Sequence, residues 1–344
     1  MVIVLLTPQR PFFAETDATQ QLSRLPNTCA WMSNETEQIV LAIVPKVTGA
    51  IGTISGIILL IDIFRSHRQN KGNPILRALG AASFFYMLDA FAWFLSSWVA
   101  PEGSFVFAHG NQSSCAFQGF WLQAVIASPL YITAMTYFYY LVACHSWEDG
   151  KLEGIELTVH GLVLGFALGT SIVLLILGQY NHIGAVCWVN GSPAGCGHST
   201  YTEGDFACDR GDYAWLFGLF TFYTPLWICV VSMLFLNLAI YYNLSSKGAS
   251  VEASWVANQA KLFCVAFVVT WAPSTVWSAM HYKSGPIFVL DLMAAVCEPL
   301  GGFFNLVIFL QDRPRLRRQL WEIAHFRCPT ASARATSSET SNEP

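Results

Sequence analysis

Seven apolar runs, each long enough to cross a bilayer, constrain this chain more than any other feature. They fall at approximately 40–64, 74–98, 115–143, 157–178, 213–242, 257–281 and 287–310. A crossing helix needs about 20 mostly apolar residues, because each adds only about 1.5 Å of rise. The third and fifth runs are the cleanest: no charged side chain lies between Cys115 and Cys144 or between Ala214 and Ser246. The first carries Pro45 and Lys46 near its start, where a lysine can snorkel to the interface. Charged residues make up only 12% of the 344 positions, too few to cover a water-soluble surface of this size. The expected fold class is all-α: a seven-transmembrane-helix bundle at 38–310, followed by a short amphipathic surface helix. Residues 1–37 form an N-terminal segment outside, 311–326 the amphipathic inner-face helix, and 327–344 a disordered cytoplasmic tail. The opening "MVIVLLT" is shorter than a signal-peptide core and lacks a basic lead-in, so no cleaved leader is expected.

Lysine and arginine set the orientation. With the N-terminus outside and the C-terminus inside, 13 of the 18 fall on the inner side and five outside: Arg10, Arg24, Lys46, Arg210 and Lys283. Three glycosylation sequons, at Asn34, Asn111 and Asn190, fall in the outer segments, while a fourth at Asn243 falls inside and should stay bare. Five cysteines are also outside, namely Cys29, Cys115, Cys187, Cys196 and Cys208, where disulfides persist. An odd number leaves one unpaired, and spacing alone does not choose the partners.

The last run has a regular polar stripe. Asp291, Glu298, Asn305 and Asp312 recur every seven residues in "DLMAAVCEPLGGFFNLVIFLQD". Seven residues return to nearly the same helix face, with a drift of about 20° per heptad. Asp291, Glu298 and Asn305 therefore line one side of the seventh span, and that side must face protein or water. Asp291 near the outer mouth and Glu298 at mid-depth suit an amine or other donor-rich ligand group; the alternative is two structural acids held by neighbouring helices. A further buried acid, Asp89, lies within the second run, where a bare carboxylate costs about 2.5–3.5 kcal/mol on insertion scales. It must find polar partners, a cation or a proton. After Asp312, Leu316, Leu320, Ile323 and Ala324 recur at helical spacing beside Arg317 and Arg318, the pattern of a helix lying on anionic membrane lipids. Cys328 beyond it is a candidate for palmitoylation, and seven Ser/Thr residues from Thr330 to Ser341 suit phosphorylation-dependent recruitment of a regulator.

An N-out chain of seven helices, with a cysteine opening the third helix ("SSCAFQGFWLQ") and another in the second outer loop ("AVCWVN"), resembles a G-protein-coupled receptor. The Cys187-Trp188 pair and "EPLGGFFN" in the seventh run are most similar to the slime-mould cyclic-AMP-receptor-like branch. "VVTWAPSTVW" has the Trp271-x-Pro273 pattern of rhodopsin-type sixth helices, Asp89 stands where that group places its buried aspartate, and Pro225 matches the fifth helix. The third helix instead ends "TYFYYLVACHSWEDG", without the acidic-arginine-aromatic triplet, and "LVIF" follows Asn305. The resemblance implies a Cys115–Cys187 cross-link holding the loop over the bundle; on the residues alone, Cys187 could equally join Cys196 or Cys208. It also implies a water or sodium site at Asp89 near Asn305, with a protonated structural acid as the alternative. Trp271 beside the Pro273 kink would turn ligand contact into movement of the inner half of the helix. Trp188 is a third ligand-facing candidate, although Trp121, Trp188 and Trp277 also fit interface belts and core.

The function implied is a plasma-membrane receptor that senses an extracellular ligand and signals to a heterotrimeric G protein, with an arrestin-like protein as tail-binding partner. No enzyme activity, cofactor or nucleic-acid partner is expected. A secondary transporter, coupling protons or sodium through the buried acids, is the alternative. A retinal-type pump would need a lysine in the seventh run, and residues 287–310 have none.

Overall fold

The computed structural model describes residues 35–69, 73–193, 196, 208–247, 251–284 and 287–311. The expected inner-face helix at 311–326, the tail, Asn34, Cys29 and Cys328 lie outside these residues, apart from Gln311 itself. The helices, in chain order, are α1 (Glu35–Gln69), α2 (Pro74–Leu95), α3 (Gln112–Ala124), α4 (Ala127–His145), α5 (Asp149–Ile176), α6 (Ala214–Gly218), α7 (Thr224–Lys247), α8 (Val251–Ser284), α9 (Phe288–Cys297) and α10 (Gly301–Leu310). Six stretches within them are long and apolar enough to cross a membrane: Glu35–Ser66, Pro74–Val99, Gln112–His145, Asp149–Ile176, Ala214–Leu244 and Asn258–Met280. The pair α9 and α10, bent by about 40°, makes a seventh if counted as one span. The helices outrun the apolar runs because backbone hydrogen bonding continues into the polar flanks, as in the Asp149–Glu156 stretch of α5.

Three spans are not the continuous helices that apolar periodicity predicts, and a proline stands at each break. Pro129 has no N–H to offer the Val125 carbonyl, which Ser128 N takes at 2.8 Å where α3 turns into α4. Pro225 follows a π-helical turn at Leu219–Tyr223, and the freed carbonyl of Thr221 accepts from Gln123 Nε2 at 3.3 Å. Pro299 separates α9 from α10, and the freed carbonyl of Ala295 accepts from Thr48 Oγ1 of α1 at 2.8 Å. In the last two cases a side chain from another span replaces the missing intrahelical donor, as a membrane interior requires. Close packing supports these joints: a Cβ on Gly52 of α1 would lie 2.0 Å from the Pro299 carbonyl oxygen, so only glycine lets α1 meet the bend.

The fold departs from purely helical in the loop before α6. Strands β1 (Tyr180–Ile183) and β2 (Val186–Val189) pair antiparallel, with Ile183 opposite Val186. Gly184 opens the two-residue turn at φ +64°, a conformation that favours glycine. Two disulfides frame this loop, Cys115–Cys187 and Cys196–Cys208, of the three pairings left open for Cys187. All four β2 side chains are buried, so the hairpin lies over one end of the bundle as a packed cap. Fully buried Gln118 joins cap to bundle: its amide donates to the Ala92 carbonyl at 2.8 Å and to Ser96 at 3.1 Å, while its oxygen accepts from Cys187 N at 2.7 Å.

Candidate functional site

Beneath the cap, polar and aromatic side chains from five elements converge. Glu298 sits at the break between α9 and α10, where the chain turns and points its carboxylate inward. One oxygen accepts from Ser274 Oγ of α8 at 2.5 Å and the other from Trp93 Nε1 of α2 at 3.4 Å. About two turns towards the cap, Asp291 accepts from the Trp277 indole of α8. Both acids are thus held by neutral donors, and no basic side chain pairs with either among the described residues. A cavity of about 20 Å³, room for one water-sized molecule, is bounded by Glu298, Trp93, Trp277, Trp188, Phe222 and Tyr223 with Leu122 and Val186. Trp188 Nε1 is buried without a hydrogen-bond partner in this wall, as is Asp291 Oδ2 nearby in sequence. An unpartnered donor and a carboxylate on one small cavity form a polar recognition pair.

A chain of rings leads from the cap into the bundle. Trp188 of β2 meets Phe222 edge-on at 5.3 Å between centroids, and Phe222 meets Trp271 of α8 at 5.4 Å. Trp271, fully buried, donates from Nε1 to Tyr86 Oη of α2 at 3.3 Å. Phe222 occupies its place because the π-helical turn advances that stretch of the fifth span before Pro225. Trp271 stands two residues before Pro273, which interrupts the hydrogen-bond ladder of α8.

The seven-residue stripe keeps its side but not its helix. Asp291 and Glu298 face α8 and α2, and Asn305 is buried, although α9 and α10 bend between them. Asp89 and Asn305 are both buried, and no direct hydrogen bond joins them: both Asp89 oxygens and Asn305 Nδ2 lack a partner within hydrogen-bond distance. Asp89 lies within electrostatic reach of Glu298 instead. No grouping of three His, Cys, Asp or Glu side chains that could hold a metal ion converges among the described residues.

At the sequons, the structure separates Asn111 from Asn190. Asn111 is exposed and caps α3, its oxygen accepting from Ser113 N and Ser114 N. Asn190 is fully buried, and its side-chain nitrogen, the atom a glycan would need, donates to the His182 carbonyl at 2.9 Å. In the folded cap this position is a structural asparagine.

A second polar cluster, unforeseen from the sequence, lies at the other end of the bundle. Arg77 of α2 donates through Nε to Glu156 of α5 at 2.6 Å and through a terminal nitrogen to its second oxygen, a two-pronged pair. Glu156 also meets His160 one turn on, and His160 Nδ1 meets Tyr131 Oη of α4 at 2.8 Å. The cluster joins three spans: Arg77 ties α2 to α5, and His160 of α5 meets Tyr131 of α4. Its sequence signal was a glutamate and a histidine four apart within an otherwise apolar run. Lys46 is likewise held, with Nζ donating to the Ala42 carbonyl and lying 4.8 Å from the Trp98 ring centroid.

No protein-family model and no curated protein matches this chain.

Proposed function

We propose that the chain is a receptor of the G-protein-coupled type, in which an outside ligand changes the contact between the disulfide-tied cap and α8. The observation that carries this is the ring chain Trp188–Phe222–Trp271, which joins the cap to the helix turn next to Pro273. A ligand group that engages Glu298 and the Trp188 indole would shift Phe222, and Trp271 could then leave Tyr86. The kink at Pro273 lets the far half of α8 swing, opening a surface for a heterotrimeric G protein. On this reading the N-terminus is outside, the chain resides in the plasma membrane, Asn111 is glycosylated, and the tail binds an arrestin-like regulator. Asp89 serves as a buried acid whose electrostatic link to Glu298 senses the ligand state.

The decisive experiment is a ligand screen in cells, read by proximity between the receptor and several G-protein subunits, with Trp271→Ala and Asp89→Ala in parallel. Loss of response in Trp271→Ala at normal surface levels supports the relay; full signalling in both variants sinks it. The three acids Asp89, Asp291 and Glu298, none paired with a basic side chain among the described residues, favour proton- or sodium-coupled transport as the second reading. Tracer uptake in reconstituted vesicles, absent without an imposed ion gradient, would select transport over signalling.

A further inference from the structure

A second cavity lies outside the capped site, on the flank between the fifth and sixth spans. It has a volume of about 590 Å³, within the range of small-molecule sites. Its wall runs from Trp215 to Ser232 on one side, a stretch of about 25 Å at 1.5 Å per residue, and includes Thr275, Ser278 and Ala279 of α8 on the other. Trp227, Ile228 and Val231 at its rim are 44%, 61% and 64% exposed, so within an apolar span the cavity opens sideways towards acyl chains rather than towards water.

Two features mark it as more than a packing gap. Hydroxyls within the spans commonly donate to the carbonyl four residues back, as Thr53, Ser83, Thr133, Thr136, Thr221, Thr270 and Thr275 all do. Ser278 is only 4% exposed and lines the cavity, yet makes no hydrogen bond to another described residue. An unpartnered hydroxyl that opens onto a cavity in an apolar medium calls for a partner from outside the chain. Secondly, Tyr223, the last residue of the π-helical turn, bounds both this cavity and the small one at Glu298.

We infer that this flank is a binding site for a sterol, entered from the bilayer, with its hydroxyl on Ser278 and its ring body along Tyr223, Trp227 and Val231. The lining has no charged side chain, which disfavours the head group of a phospholipid or the carboxylate of a fatty acid. The flat indole and phenol faces against branched aliphatic side chains match a rigid ring system with one smooth and one methyl-bearing face better than a flexible chain, which would lose rotamer freedom on ordering. The level of Ser278, near the capped end of its span, places a single hydroxyl towards the membrane interface and the hydrocarbon body towards Ser232. Through Tyr223, occupancy would bear on the aromatic wall of the capped site. The inference does not depend on whether the bundle signals or transports.

The test uses the full-length protein in phosphatidylcholine vesicles with a photoactivatable diazirine sterol, followed by peptide mapping of the label. The expected label maps to the fifth and sixth spans and is competed by unlabelled sterol but not by a long-chain fatty alcohol. Val231→Trp, which fills the cavity, is expected to lower labelling about tenfold, and Ser278→Ala to weaken sterol competition by about threefold to tenfold, the effect of one hydrogen bond. Ile172→Trp on the exposed flank of α5 should leave labelling unchanged. Label spread evenly over all spans, competition by the fatty alcohol, or undiminished labelling in a well-folded Val231→Trp each overturns the inference. The wild-type map and its competition profile decide the matter even where a variant fails to fold.

Discussion

The two polar clusters of this bundle use their acids in opposite ways. At the end away from the cap, Glu156 is answered by a full positive charge, Arg77, in a two-pronged pair that ties α2 to α5. Beneath the cap, Glu298 and Asp291 are answered by neutral donors alone: a serine hydroxyl, two indoles and the Ile287 backbone. A neutralised acid has little left to offer a ligand and works as a fastener. An acid held in place by neutral donors keeps its capacity to take a proton or a cationic group. The difference separates the scaffold end from the end that can recognise something.

The largest effect is expected where the cap itself is cut loose. Cys115→Ser opens a bridge between residues 72 apart, which in the chain-entropy account is worth about 4 kcal/mol. Thermal unfolding in detergent should fall accordingly, while the Arg77 cluster, touching no cap residue, keeps its protection in hydrogen exchange. Loss of protection at both ends would mean that the two regions fold as one unit and the comparison fails.

Next comes Arg77→Ala, which leaves Glu156 uncompensated. Side-chain exposures of 28% for Arg77 and 11% for Glu156 soften the effect, so we expect about 3 kcal/mol, the low end for breaking such a pair. Combining Arg77→Met with Glu156→Leu should recover most of the stability, since both charges then leave together. By contrast, Glu298→Gln should cost less than about 1 kcal/mol. The amide oxygen can accept from Trp93, its nitrogen can donate to Ser274 Oγ, and the Ser274 hydroxyl hydrogen can turn to the carbonyl four residues back. Its signature is functional: ligand response or coupled uptake should drop with the melting temperature nearly unchanged. A melting loss as large as that of Arg77→Ala would make Glu298 a fastener as well.

The smallest expected effect is a pH dependence of the cap. Burial pushes the His182 imidazole below its ordinary value of 6.5, with a hydrogen bond to the Ser104 backbone opposing in part. The folded cap therefore binds this proton less readily than the unfolded chain. Stability is fully present above about pH 6.5 and declines as pH falls below it. Hydrogen exchange of β1 and β2 amides between pH 7.5 and about 5.5 should reveal the loosening, and His182→Gln should abolish it.

Much of this architecture was legible because hydropathy and helical period are local properties. The apolar runs located the six long apolar helices and the bent pair α9–α10, and the burial of Asp89, Asn305 and the inward side of Glu298 followed from the cost of polar groups in hydrocarbon. The breaks were less legible. Pro129, Pro225 and Pro299 mark them, yet proline alone does not say whether a span kinks, turns π-helical or splits, since Pro45 lies within an unbroken α1. That outcome depends on whether a neighbour such as Gln123 or Thr48 reaches the freed carbonyl.

By itself, then, the sequence determined where the chain enters an apolar medium and which polar side chains must turn inward. Tertiary structure alone decided what each of them meets. It paired Cys187 with Cys115, assigned Arg77 to Glu156, gave Asn190 a buried structural role and left Asp89 and Asn305 without a direct hydrogen bond to each other. The physical reason is range: the penalty for a polar group in hydrocarbon is set by its own chemistry, whereas its partner is fixed by helices packed from distant parts of the chain.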